Sequence, residues 1–196
     1  MSESEQERVS RRDIFTGGWR RLLSRDAPAD EPPPRFGTVI RPPGALPEPG
    51  FADVCDRSGA CVDVCPAQAI RMLKLPNDPD DGTPHIIPAI QACVVCDDLA
   101  CMSACPSGAL SPVAAGAIRM GLAEVRHDVC LRMSGEDCRL CVDFCPFGAE
   151  ALEIGADGRV VVHDSGCVGC GVCEMRCPTQ PRAITIRPPG TACTPV

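Results

Sequence analysis

Hydrophobic positions in this chain gather into short runs, and four of the runs look alike. Ala69-Ile70, Ala109-Leu110, Ala151-Leu152 and Ala183-Ile184 each open a run a few residues after a Cys-Pro pair. Runs this short suit β-strands rather than helices. Ala151 to Ile154 and Val160 to His163 flank Asp157-Gly158, a strong signal for a tight hairpin. Ala69 to Leu75 and His85 to Pro88 predict a second hairpin, joined by the longer polar loop Asn77 to Gly82. The repeated unit is a Cys-rich loop, a short helical turn and a strand. Nothing approaches the roughly 18 uninterrupted apolar residues of a membrane helix, so no membrane span is expected.

The first residues follow another pattern. In 1–26, Phe15, Trp19, Leu22 and Leu23 fall at helical spacing, although Gly17 and Gly18 weaken the helix. Residues 8–25 hold six arginines against Asp13, a local net of +5; the whole chain is −7, so the remainder carries −12. This basic arm either packs on its own domain or docks on a partner. The acidic body argues against nucleic-acid binding, which needs clustered Lys and Arg. Residues 27–49 contain eight prolines and predict an extended linker with little packed structure. The repeats occupy 50–187, and 188–196 form a C-terminal tail.

Composition then asks what holds such a chain together. Aromatic residues make up only 3%, with no Tyr and one Trp, whereas 16 of the 196 residues are Cys. Disulfides or metal centres are the two candidates, and spacing decides between them. The last motif, Cys167-x2-Cys170-x2-Cys173-x3-Cys177-Pro178, has the spacing of a [4Fe-4S] site. In two-cluster ferredoxins the fourth Cys of such a motif ligates the other cluster. Gly169 and Gly171 let the backbone approach the inorganic sulfides. The second motif is Cys93-x2-Cys96-x4-Cys101-x3-Cys105-Pro106, and the third is Cys130-x7-Cys138-x2-Cys141-x3-Cys145-Pro146.

The first motif departs from this set. Cys55, Cys61 and Cys65-Pro66 are in place, but the second ligand position holds Ser58. With the ligand exchange just described, Cys65 serves the neighbouring cluster, and only the cluster on Cys55 and Cys61 is short of a thiolate. An alkoxide from Ser58, a [3Fe-4S] centre, and a labile or absent cluster all remain open. So does the pairing of the motifs, as neighbours or nested.

Structural zinc prefers two separated C-x2-C pairs and fits four Cys-Pro-closed groups poorly. Disulfides fit less well still, because cysteines so spaced converge on a metal more readily than they pair. Cys193 is expected to be a bystander thiol. No Ser-His-Asp set or phosphate-binding glycine loop is present, so no catalytic residue is assigned and the chain is expected to be no enzyme.

The layout resembles bacterial ferredoxins, which implies an α+β fold of two dicluster modules, built of short hairpins and helical turns around the clusters. The order of the irregular insertions is more specific. With Arg41-Pro42-Pro43-Gly44-Ala45, Phe51, Cys105-Pro106-Ser107-Gly108-Ala109-Leu110 and Arg119-Met120-Gly121-Leu122-Ala123, it is similar to the MauM/NapG family of ferredoxin-type proteins over residues 39–187. That resemblance implies an electron carrier with several [4Fe-4S] clusters. Its redox partners would be a membrane quinol dehydrogenase and a terminal reductase subunit, in nitrate reductase or methylamine dehydrogenase systems. Family members bear a twin-arginine signal. Here Ser10-Arg11-Arg12 lacks the apolar region such a signal needs and looks like the start of NapF-type cytoplasmic ferredoxins. The expected location is therefore cytoplasmic, associated with membranes through partners, with the periplasm as the alternative if the signal works. The alternative function is a cytoplasmic assembly or maturation factor for a redox enzyme.

Overall fold

The computed structural model describes residues 39–48 and 50–190. The basic arm with its paired arginines, the first part of the Pro-rich stretch and Cys193 lie outside the described residues. No described helix is long and apolar enough to cross a membrane.

Among the described residues regular structure is sparse, because the Cys loops interrupt it repeatedly. The five α-helices among the described residues are four or five residues each: α1 (Phe51–Val54), α2 (Ala60–Asp63), α3 (Ala100–Ser103), α4 (Leu140–Asp143) and α5 (Val172–Arg176). The last four each carry the Cys at the third ligand position of a motif. Three antiparallel two-stranded sheets are formed among the described residues by β1 (Ile70–Met72) with β2 (Pro84–Ile86), β3 (Leu122–Val125) with β6 (Ile184–Arg187), and β4 (Leu152–Ile154) with β5 (Val160–Val162).

Both predicted hairpins form. The β4–β5 turn is closed by the Gly155 N–H on the Arg159 carbonyl at 2.8 Å, with Gly158 at φ 80°. In the longer β1–β2 loop, Asp81 Oδ1 accepts from the Leu75 N–H at 2.7 Å. Of the other two apolar runs, one departs from the expected strand. Ala109-Leu110 makes a single bridge, Leu110 to Ala45, flanked by Leu46 N–H on Ala109 O and Ser111 N–H on Gly44 O. The run at Ala183-Ile184 does become a strand, but its partner is β3, with Val125 opposite Ile184.

A duplicated plan results. In each half, the run after one motif folds into a local hairpin. The run after the next motif pairs with the segment that precedes the half, Gly44–Leu46 in one case and β3 in the other.

The end of the Pro-rich stretch is packed on the body and is no free linker: Ile40, Arg41, Pro42 and Pro43 are buried. Ile40 bridges Ile86 beside β2. The guanidinium of Arg41 is the reason this approach is fixed. It donates to Asp80 Oδ1 at 2.6 Å, Glu48 Oε1 at 2.6 Å, Thr83 Oγ1 at 2.7 Å and the Pro84 carbonyl at 3.1 Å, and lies 4.5 Å over the Phe51 ring. A buried charge needs this degree of pairing. Around it the core is made of small and aliphatic side chains with the cysteines themselves, and Phe51 is its one fully buried aromatic among the described residues.

Candidate metal centres

The ligand loops owe their shape to a few positive-φ positions. The residue before the second ligand is left-handed in three motifs: Arg57 (φ 58°), Val95 (φ 51°) and Gly169 (φ 73°). The residue at the N-cap of the following helix is left-handed too, at Gly59, Leu99 and Gly171. After the Cys-Pro pairs the same conformation recurs at Gln68, Gly108 and Gly148. Non-glycine residues resist this conformation by about 1–2 kcal/mol each, so Arg57, Val95, Gln68 and Leu99 hold it because the loop requires it.

These loops place the cysteines around three cavities and in one further group. Cys55, Ser58, Cys61 and Cys105 line the first. The second is lined by Cys65, Cys93, Cys96 and Cys101, and the third by Cys130, Cys138, Cys141 and Cys177. Cys145 joins Cys167, Cys170 and Cys173 in the fourth group: after burial, Cys167 is the thiol that raises Cys145, and Cys145 heads the thiols that raise Cys170. Each motif thus lends its last Cys to its neighbour's group. The motifs pair first with second and third with fourth, and the nested alternative does not occur.

Charge and burial act together on these thiols. Burial, then Cys55 and Cys105, push Cys61 up to about 11, and burial with Cys130, Cys138 and Cys177 does the same for Cys141. Cys93 and Cys101 also rise to about 11 and Cys170 to about 12, burial being the chief cause in each. Thiols so held lose their protons to a cationic centre rather than to water.

Two thiols behave differently. Burial raises Cys105, but the Ser107 hydroxyl at 3.5 Å and nearby backbone N–H groups outweigh it and leave the thiol below its ordinary range. Cys177 repeats this with Thr179 at 3.2 Å. Residues 67 and 147, the matching positions after Cys65 and Cys145, are Ala and Phe. The only sign of this in the sequence is a hydroxyl residue two places after Cys105 and Cys177.

The donor set suits clusters better than single ions. Among the described residues no group of three or more His, Cys, Asp or Glu converges closely enough to hold one metal ion. The thiols face one another across cavities instead, as the separated corners of a cluster require.

The cages also feel one another's charge in sequence. Cys61 raises Cys101, linking first to second; Cys93 raises Cys170, linking second to fourth; Cys141 raises Cys173, linking fourth to third.

A family model described as a 4Fe-4S dicluster domain matches residues 54–109 and 135–180, one match in each half. The methylamine utilization ferredoxin-type protein MauM of Methylophilus methylotrophus is 35% identical over 200 residues, covering 96% of this chain and 88% of its own. MauM of Paracoccus denitrificans is 38% identical over 161 residues, with 76% and 71% covered. The ferredoxin-type protein NapG of Escherichia coli K12 is 36% identical over 165 residues, with 78% and 71% covered.

Proposed function

The chain belongs to the family of MauM and NapG ferredoxin-type proteins and is an iron-sulfur electron carrier, not an enzyme; on that premise we propose that it passes single electrons along a row of four centres. The row runs first cage, second, fourth, third. Its outer members are the Ser58 cage and the cage of Cys130, Cys138, Cys141 and Cys177, and one receives what the other delivers. The second, third and fourth cages each hold a [4Fe-4S] cluster on four thiolates. The donor is a membrane quinol dehydrogenase and the acceptor a reductase subunit of the nitrate-reductase type.

The observation that carries this reading is the crossing of the last Cys between neighbouring motifs, because it sorts the 15 described cysteines into one set of three and three sets of four. The chain's own residues bind and position: thiolates hold the irons, the positive-φ loops turn N–H groups toward sulfur, and the aliphatic core excludes water. The clusters supply reversible one-electron chemistry, with potentials set by burial and hydrogen bonds to sulfur.

Anaerobically purified protein should contain iron and acid-labile sulfide and no stoichiometric zinc. After reduction by dithionite, low-temperature EPR should show spin coupling between adjacent centres. Stoichiometric zinc, or isolated uncoupled centres, overturns the row. Quinol-fed membranes from the native host should reduce the protein, and a carrier that stays oxidised removes the donor assignment.

A further inference from the structure

The Ser58 corner keeps the build of a ligand loop although it lacks the thiol. Arg57 adopts the same left-handed conformation as Val95 and Gly169 before their ligands. Four hydrogen bonds brace it there, to the carbonyls of Pro79 (2.8 Å), Asp81 (2.9 Å), Cys55 (3.1 Å) and Ala52 (3.3 Å). The Ser58 side chain therefore lines the first cage as Cys96 lines the second.

Asp56 stands beside it in the same cavity wall. Its Oδ1 accepts from the Ser58 hydroxyl at 2.9 Å and from the Ser58 N–H at 3.1 Å. The corner thus offers a carboxylate and a hydroxyl, both on exposed residues, where Cys170 of the fourth cage is buried. Oxygen donors hold ferrous iron more weakly than thiolate does, and an open corner lets it leave.

We propose that the first cage is an exchangeable-iron site, in which Cys55, Cys61 and Cys105 retain a three-iron core while Asp56 with Ser58 takes up and releases one ferrous ion. This rests on the four-cage reading above. The steps balance. One electron from the relay reduces [3Fe-4S]+ to [3Fe-4S]0, which combines with Fe2+ to give [4Fe-4S]2+. Loss of one electron from the latter gives a 3+ core that expels Fe2+ and restores [3Fe-4S]+. Because this cage ends the row, ferrous iron supply sets whether that end carries a three-iron or a four-iron centre.

The test uses the full chain, oxidised with ferricyanide, freed of loose iron with a chelator, and then titrated with Fe2+ under dithionite. Wild type should lose one iron per chain and gain one three-iron EPR signal, and then reverse both changes. Ser58→Cys should keep its fourth iron through the same treatment. Asp56→Ala should keep the three-iron signal but need at least about tenfold more Fe2+ for half-conversion. Constant iron content without a three-iron signal in oxidised wild type overturns the proposal, as does Asp56→Ala taking up iron at the wild-type concentration. If the other three cages lack cubanes, total iron and sulfide report it directly, and it is then the four-cage reading that fails.

Discussion

The backbone N–H of Cys93 donates to the carbonyl of Cys170 at 3.1 Å, so a ligand loop of one half is bonded directly to a ligand loop of the other. The contact is tight enough to leave no room beside it. A Cβ on Gly171 would collide with Pro88 Cβ, and Gly171 is at φ 86°. Gly171→Ala should therefore cost about 2–4 kcal/mol, from backbone strain and overpacking together. It should also weaken the spin coupling between the second and fourth cages. Thermal unfolding and EPR of the reduced protein check the two effects, and unchanged coupling would count against the second-to-fourth step of the row.

Crossing of the last Cys has a direct genetic signature. Cys105→Ala should remove the same redox component as Cys61→Ala, although Cys105 belongs to the second motif. Cys65→Ala should remove the component that Cys101→Ala removes. A redox titration followed by EPR decides it; loss of the Cys101 component in Cys105→Ala would show that the motifs keep their own ligands.

Ser107 and Thr179 should set the outer centres apart from the inner ones. A hydroxyl that donates to a ligand sulfur stabilises the more negative, reduced cluster and so raises its potential. Ser107→Ala should lower the potential of the first-cage centre, and Thr179→Val that of the third, by on the order of 40 mV for a bond of about 1 kcal/mol. Potentiometric titration should leave the two inner centres where they were.

Arg41 should be a costly buried side chain to remove. Arg41→Ala strands Asp80, which is 6% exposed, without its counter-charge and should destabilise the loaded protein by about 3–5 kcal/mol. Arg41→Lys should recover only part of this, because an ammonium cannot reproduce the guanidinium fork that reaches Asp80, Glu48 and Thr83 together. Chemical denaturation of both variants measures the difference.

Removal of the clusters should unfold the chain. Helices of four or five residues and two-stranded sheets have little stability of their own, and the cages are what join them. Iron-free protein should show little protection from hydrogen exchange and no cooperative thermal transition; a sharp melt in that form would refute this.

The parts legible in the sequence are those where chemistry acts over a few residues. Ligands at C-x2-C spacing must converge locally, and Asp157-Gly158 turns the chain within its own hairpin, so both could be read directly. The pairing of β3 with β6 could not, since the run at Leu122 carries no local signal for a partner that follows two motifs later. Ala109-Leu110 was too short for its alternation to reveal a single bridge in place of a strand. Arg41 was hidden by its neighbours: among prolines it read as linker, and only the fold brings Asp80, Glu48 and Thr83 to it. Asp56 carries no signal of its own in the sequence, because a carboxylate outside the ligand spacing looks like a solvated surface charge until the fold bonds it to Ser58.

The bridge between Ala45 and Leu110 closes the first half upon itself, and every residue of the first two cages lies between Cys55 and Cys105. A nascent chain that has emerged as far as Ser111 already carries that half in full. Folding of that half can then precede synthesis of the other.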